Sequence, residues 1–384
     1  MDYFLTDDEK EIRALARDFA ERYLMPRRRE LDERHEYPRN LLEEMAKLDF
    51  FRILVPEEYG GFGDKVMYTV LVIEELSRAE AGTAIAFGAN GLGTTPIIVA
   101  GTEEQKARYL PPVAEGKKYA AFALTEPDAG SDAGAVKTRA VKKGDRYILN
   151  GTKRFITNAG EADIMTVVAS TDPERGARGL SIFIVEKDFP GVSFGKVEET
   201  LGIRASVKRE IYFEDCEVPE ENLLGGKEGL GFVQVARTFD RTRPAVGAQA
   251  LGIAQGAFEE ALKYARERKQ FGQPIASFQA IQIMLADMAT KIEASRALLY
   301  SVARYIDSGA KEVSHLAAMA KYFPADVAME VTVDAVQIFG GYGYTTEYIV
   351  EKYLRDAKIT QIYEGTNQIQ RLLLAAHLVR KGGI

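Results

Sequence analysis

The sequence predicts a mainly α protein with a central β-domain: an N-terminal helical domain over residues 1–118, an antiparallel β-domain over 119–226 and a C-terminal four-helix-bundle domain over 227–384. Three observations lead there. Residues before about 118 carry apolar side chains at helical spacing between capping signals. Between 119 and 226 the pattern turns to short runs rich in β-branched and aromatic residues, bounded by Gly, Pro and Asp. Beyond 227 long helical periods return, as in SFQAIQIMLADMATKIEASRALLYSVARYID (277–307).

In chain order, Thr6 and Glu9 have capping-box spacing, with Leu5 ahead of them as a hydrophobic staple. Ile12, Leu15, Phe19 and Leu24 continue at roughly helical spacing, and Pro26 ends that run. VPEEYGGFGD (55–64) reads as a glycine-rich loop, and GTEEQKARYLPPVAEG (101–116) as a short helix that stops at its prolines. Asn150-Gly151, inside RYILNGTKRFIT (146–157), predicts a hairpin turn between two strand-like runs. IMTVVAS (164–170), LSIFIVE (180–186) and REIYFEDCEV (209–218) read as further strands. No clear crossover helix joins them, which disfavours a Rossmann sheet. In 277–307, apolar residues at 278, 281, 285, 288, 292, 299, 302 and 306 suit a helix packed against nearly antiparallel partners.

Hydrophobic residues make up 46% of the 384-residue chain and charged residues 28%, a globular balance with enough length for a large core. A net charge of -7 argues against a nucleic-acid surface, and Arg27-Arg28-Arg29 is answered at once by Glu30, Asp32 and Glu33. Cys216 is the only cysteine, which excludes an internal disulfide and suits a reducing compartment. His35, His315 and His377 lack metal-ligand spacing, so no metal site is expected. The acidic start MDYFLTDDEKE has the character of neither a signal peptide nor a transit peptide. No apolar run reads as long enough to span a bilayer, and a cytoplasmic location is expected.

Glycine motifs give little by themselves. GLGF (229–232) fails as a dinucleotide fingerprint because Gln234 holds the sixth position, and no phosphate-binding G-x-x-x-x-G-K-[ST] occurs. No Ser-His-Asp arrangement is visible. ALTEPDAGSD (123–132) gathers Thr125, Gly130 and Ser131 where hydroxyls and free N–H groups can bond a polar ring edge or a phosphate. In RFITN (154–158), Phe155 and Thr157 either flank a planar cofactor or fill a sheet. FGGYGY (339–344) either approaches a ligand or makes a tight inter-helical turn. IYEGTNQIQ (362–370) sets one carboxylate between an aromatic ring and a glycine, inside a helical region. Two readings stay open on these residues alone. The stretch is a helix–helix connection, or it presents Glu364 as a general base with Thr366 and Gln368 holding a cofactor beside it.

Taken together, ALTEPDAGSD, RFITNAG, FDRTRP, ERKQFGQPI, QIFGGYGY and YEGTNQIQR occur in the order and spacing of the acyl-CoA dehydrogenases. The sequence resembles these FAD enzymes along essentially its whole length, and FDRTRP looks most like the medium-chain branch. The resemblance implies the helix, β, helix order above, a homotetramer built as a dimer of dimers, and a flavin between β-domain and bundle. It implies that Phe122, Leu124, Thr125, Gly130 and Ser131 line the flavin edge, with Ser131 also reaching the CoA moiety. Phe155, Ile156 and Thr157 are then expected against the ring. Many relatives carry Trp at the position of Phe155, whereas this chain has no tryptophan. By the same resemblance Arg268, Gln270, Phe271 and Gln279 reach the FAD of a neighbouring subunit, and Gln337, Gly340 and Gly341 grip its adenine-diphosphate end. An arginine fork suits pyrophosphate. Asp240, Thr242 and Arg243 are implied to contact acyl-CoA. Thr242 stands near where the isovaleryl and long-chain branches place their catalytic carboxylate, which leaves Glu364 as the base here.

The implied reaction is α,β-dehydrogenation of a short- or medium-chain or branched acyl-CoA to the trans-2-enoyl-CoA, with electrons passed to electron-transfer flavoprotein. The alternative is an enoyl-CoA reductase or acyl-CoA oxidase on the same fold, and more distantly a flavin monooxygenase. Removing a proton beside a thioester carbonyl needs a stabilised enolate oxygen; the resemblance assigns this to the Glu364 N–H and a flavin ribityl hydroxyl. Glu364 in an apolar pocket is expected to have a raised pKa. Gly365 is expected to let the backbone approach the thioester, and Tyr363 to pack on the acyl chain. In IAFGANGLG (85–93), Gly88 is expected to deepen the acyl pocket or Phe87 to shorten it, and the lack of an arginine there disfavours glutaryl-CoA.

Overall fold

The computed structural model describes residues 3–383. Its N-terminal helices are α1 (Asp7–Phe19), α2 (Arg28–Arg34), α3 (Arg39–Lys47), α4 (Val66–Ala79), α5 (Ala81–Ala100) and α6 (Glu103–Ala114). The capping box starts α1 as expected: the Glu9 N–H donates to Thr6 Oγ1 at 3.2 Å and the Thr6 N–H to the Glu9 carboxylate at 2.9 Å. α6 differs from expectation by running through Pro111 and Pro112 to Ala114. A proline φ fits a helix, the missing N–H groups fall near its end, and buried Val113 and Ala114 hold the last turn on the core. The 20-residue α5 has a mean hydropathy of 1.3, so by length and composition it is apolar enough to cross a membrane, contrary to expectation. It is instead mostly buried, chiefly against the long C-terminal helix that follows the β-domain, the first strand and α4, and its neutral surface reflects a core position.

The strands β1 (Ala120–Ala123), β2 (Arg139–Lys143), β3 (Arg146–Thr157), β4 (Ile164–Ser170), β5 (Leu180–Glu186), β6 (Val192–Phe194) and β7 (Lys208–Pro219) form one sheet. Its order is β1-β4-β2-β3-β7-β6, with β5 also on β4. The pairs are antiparallel, except that β1 runs parallel to β4 and β2 touches β4 in parallel at one point. The hairpin turn lies at Gly144, with φ +64, and not at Asn150-Gly151. That pair sits inside β3 at a shift of register against β7. The Asn150 amide bonds Asp215 across the shift, donating at 3.1 Å and accepting its N–H at 2.8 Å. A Cβ on Gly151 would lie 2.5 Å from the Thr138 hydroxyl, so the glycine serves close approach within a bulge. A second shift, between Lys153 and Ile156, holds Phe155 at φ +58.

The C-terminal helices are α7 (Gly231–Glu267), α8 (Gln279–Asp307), α9 (Ser314–Phe339), α10 (Val350–Thr360) and α11 (Asn367–Lys381). A two-stranded ribbon, β8 (Lys269–Gln270) and β9 (Gln273–Pro274), links α7 to α8. In α8 the expected apolar stripe is buried at Met288, Ile292, Leu299, Val302 and Ile306. α7 is the spine, touching α4, α5, α8, α9 and α10. Glycines set its distances: a Cβ on Gly252 or Gly256 would lie 2.3 Å from a carbonyl of α4, and one on Gly247 2.0 Å from the Ala320 carbonyl of α9. A buried ion cluster joins the three regions. Lys352 of α10 contacts Glu80, between α4 and α5, at 2.8 Å and also Asp356. Asp356 accepts the Ile203 N–H from the β-domain at 2.6 Å.

Candidate active site

Between α10 and α11 the chain must reverse within a few residues. It does so with Glu364 at φ +51 and Gly365 at φ +89. A glutamate in the left-handed region is uncommon and persists only where its surroundings fix it. Here they do. Gln370 Nε2 donates to the Glu364 and Gly365 carbonyls, both at 3.0 Å. Lys321 Nζ, from α9, donates to the Gly365 carbonyl at 2.9 Å and to Asn367 Oδ1 at 2.8 Å. Asn367 in turn donates to Asp326 at 2.8 Å. Two successive carbonyls are thereby turned inward, and the N–H groups of Glu364, Gly365 and Thr366 have no acceptor among the described residues. The helix connection and the presenting loop are one object.

The Glu364 carboxylate forms part of a cavity wall, where Thr242 Oγ1 of α7 donates to it at 2.8 Å. Burial pushes its pKa up; the Thr242 hydroxyl, Arg243 and Lys321 pull the other way. Buried Arg243 is itself pushed down by burial, against the charges of Asp240 and Glu364. Across the cavity stand Phe122, Leu124, Thr125, Phe155, Ile156 and Thr157 of the β-domain. The Thr125 and Thr157 hydroxyls have no protein partner among the described residues and are free for a ligand edge. Phe155 is 57% exposed, with the Arg154 guanidinium 4.9 Å from its ring centre. An apolar, aromatic-walled slot with a few convergent polar groups fits a planar ring with a polar edge, such as a flavin. Tyr363 shares the wall and its hydroxyl donates to Gln249.

The other expected site residues lie elsewhere. Arg268, Gln270, Gly340 and Gly341 line a separate depression, where the Arg268 guanidinium sits 5.4 Å from the Tyr342 ring centre. A Cβ on Gly340 or Gly341 would meet nothing, so this surface is open. Phe271, at the ribbon tip, is 93% exposed, and Gln279 and Gln337 are exposed on α8 and α9. Gly130 and Ser131 lie on an exposed loop outside the cavity lining. Asp240 accepts from Ser314 at 2.6 Å and stands 3.5 Å from Arg243. Thr366 is occupied in capping α11, accepting the Ile369 N–H at 3.3 Å, and Gln368 is exposed on the first turn of that helix. Neither lines the Glu364 cavity, and neither does Gly365. Sequence reading missed Lys321, Gln370 and Asn367 as the groups that fix the turn. The one available signal was a lone lysine on the alanine-rich face HLAAMAKYF.

Comparison with known proteins gives a consistent answer. The chain matches the acyl-CoA dehydrogenase N-terminal domain over residues 6–117, the middle domain over 121–216 and the C-terminal domain over 229–379. It is 46% identical over 381 residues to a short-chain-specific acyl-CoA dehydrogenase of Clostridium acetobutylicum, covering 99% of this chain and 100% of that one. Butyryl-CoA dehydrogenase from Megasphaera elsdenii superposes with a TM-score of 0.96 at 46% identity, covering 99% of this chain and 100% of the other. A chain in a structure of the electron transferring flavoprotein of Acidaminococcus fermentans, concerned with flavin-based electron bifurcation, also gives a TM-score of 0.96. It is 54% identical, with 99% of this chain and 100% of that chain covered. A left-handed glutamate facing free threonine hydroxyls across an aromatic slot, on a helix, sheet, helix scaffold, thus belongs with these matches: the chain is a member of the acyl-CoA dehydrogenase family, oxidoreductases that use FAD.

Proposed function

We propose that this protein dehydrogenates a saturated short-chain acyl-CoA, straight or branched, to the trans-2-enoyl-CoA, with Glu364 as the base and electron-transfer flavoprotein as the acceptor. The observation that carries the reading is the Glu364 turn, which sets a carboxylate in the wall of an apolar cavity and leaves the same residue's N–H without an acceptor among the described residues. The carboxylate, steered by Thr242, takes the proton next to the thioester carbonyl. The free Glu364 N–H is available to the oxygen on which charge develops. The apolar walls exclude water, which favours a base with a raised pKa over one solvated and weak. FAD, when bound, supplies the acceptor for the hydride that leaves the β-carbon. The aromatic slot with Thr125 and Thr157 would hold its ring, and Arg268, Gln270, Gly340 and Gly341 would serve a neighbouring subunit. A tetramer with shared sites accords with the exposure of Phe271 and of Leu372 and Val379 on α11.

The α5 side of the cavity bears on chain length. Gly88 and Gly91 share one face of α5, and a Cβ on either would meet Ile73 Cδ1 or Leu54 Cδ2 at 3.1 Å. The glycines therefore let Ile73 and Leu54 pack closely on that wall. Phe87 points away, packed on Phe51 with ring centres 5.3 Å apart, and lies outside the cavity lining. Arg241 does reach the wall, but it donates to the Asp64 carboxylate at 2.7 Å, which leaves it engaged rather than free for a second substrate carboxylate. The short-chain and butyryl-CoA relatives support the same choice, and the electron transferring flavoprotein match supports the acceptor.

The test is an anaerobic titration of the flavin-loaded protein with saturated acyl-CoAs from butyryl to octanoyl, following loss of the visible flavin band. Fastest bleaching is expected at the short end. Glu364→Gln should keep flavin and bind the same thioester while losing turnover by about 10²–10⁴-fold. Wild-type rates in that variant remove Glu364 from the mechanism.

A further inference from the structure

Lys321 has no part in the reaction as derived above, yet it is one of the most deeply buried side chains in the protein, 0% exposed on α9. Buried lysines are usually paired with a carboxylate. This one is not: no carboxylate lies within ion-pairing distance of Nζ among the described residues, and both its acceptors, the Gly365 carbonyl and Asn367 Oδ1, are neutral. Both also belong to the turn that carries Glu364. The turn therefore accepts a costly buried amine where a neutral donor would supply the same hydrogen bonds, and the charge itself needs a reason. The charged groups that act on Lys321 are Glu364 on the turn and Asp326 on its own helix, which favour the ammonium form, and Arg243 from α7, which opposes it. Asp326 is shared, since it also takes hydrogen bonds from Gln361, Asn367 and Arg371. Of the two carboxylates Glu364 acts on Lys321 the more strongly, and Lys321 joins Arg243 in favouring the ionised base.

We propose that Lys321 is a positioning residue for Glu364: its amino group pins the Gly365 carbonyl inward beneath the turn and supplies positive charge that keeps the base ionised. The inference rests on the reading of Glu364 as the base. The pin has a geometric consequence. With the Gly365 carbonyl held by Lys321 and Gln370 and the Glu364 carbonyl by Gln370, the two peptide planes that carry the Gly365 and Thr366 N–H groups are fixed, which holds the turn directly after Glu364. The charge has an electrostatic one. Burial lowers Lys321 to about 7 and raises Glu364, so the two titrate as a linked pair in which each charged form favours the other.

The experiment is the pH dependence of flavin bleaching by the preferred acyl-CoA, normalised to bound flavin, in wild type, Lys321→Gln and Lys321→Met. Glutamine keeps a donor to the Gly365 carbonyl without the charge; methionine keeps neither. The acid limb should move up in both, as loss of a nearby opposite charge predicts, with the rate at high pH largely recovered in Lys321→Gln only. An unmoved limb in Lys321→Gln overturns the electrostatic role, whatever its stability. If neither variant retains flavin, Asn367→Ser decides, because it removes one acceptor of Nζ and leaves the charge. A wild-type limb is then expected, because the Lys321 charge and its bond to the Gly365 carbonyl both remain, and a limb that moves up overturns the proposal. Glu364→Gln serves as the control: if it turns over normally the base assignment has failed, whereas a dead Glu364→Gln beside unaffected Lys321 variants sinks this inference alone.

Discussion

Thr242 shows how little separates a substrate contact from part of the base. Its hydroxyl, implied by resemblance to touch acyl-CoA, donates to Glu364 at 2.8 Å and is the foremost of the influences that lower the carboxyl's pKa against burial. On the proposed mechanism Glu364 acts as a carboxylate, so activity would be lost as pH falls through its raised pKa. Removing the donor raises that pKa further. Thr242→Val is therefore expected to move the acid limb of kcat to higher pH and to cost a few-fold in rate at neutral pH. A limb that stays put or moves down would show that the hydroxyl serves the substrate instead. The turn that carries Glu364 stood out in the sequence because its neighbours form a contiguous motif. The groups that hold it did not, because Lys321 and Gln370 reach the turn through side-chain bonds whose partners are backbone carbonyls, and a carbonyl carries no residue identity to read.

At the scale of elements, legibility followed how local the cause was. The α1 capping box and the α8 stripe depend on residues within a turn or two of one another, and both were read correctly. Asn150-Gly151 was misread because a hairpin turn and a bulge ask for the same residues; only the approach of Thr138, just ahead of β2, and of Asp215 in β7 distinguishes them. The parallel pairing of β1 with β4 has no local signature at all. α7 illustrates the same limit. Its glycines set the distance to α4 and α9. Gly247→Ala would put a methyl group 2.0 Å from the Ala320 carbonyl, a backbone atom that cannot rotate away. A loss of about 1–3 kcal/mol is expected from overpacking, read as a lower Tm. Because Ala320 precedes Lys321, the variant should also turn over more slowly per bound flavin. A Tm and rate equal to wild type would show that α9 can shift freely.

For the whole molecule, the Lys352 cluster is where the regions are held to one another. Glu80 ends the α4–α5 junction, Asp356 belongs to α10 and the Ile203 N–H comes from the β-domain, all of them buried. Burial pushes Lys352 down, and the two carboxylates more than reverse it, so the ammonium is held well above its ordinary range. Lys352→Met leaves Glu80 and Asp356 facing each other without their cation. Breaking a buried pair in this way costs about 3–5 kcal/mol, and the expected signs are a lower Tm and separation of the unfolding transition into more than one step. A single transition at the wild-type temperature would mean that the cluster is incidental.

The cavity takes its walls from α4 and α5, from the sheet and from the turn after α10, so no one region can make it alone. Whatever fills it binds the assembled chain and ignores the unfolded one. By mass action, a ligand at a thousand times its Kd adds about 4 kcal/mol to the stability of the folded form, a sizeable fraction of what holds an ordinary protein together. Vitamin supply then acts on quantity as well as on catalysis. Cells short of riboflavin would carry more of the empty, less stable form, expose it to proteases and lose the protein itself before they lose the activity of each molecule that remains.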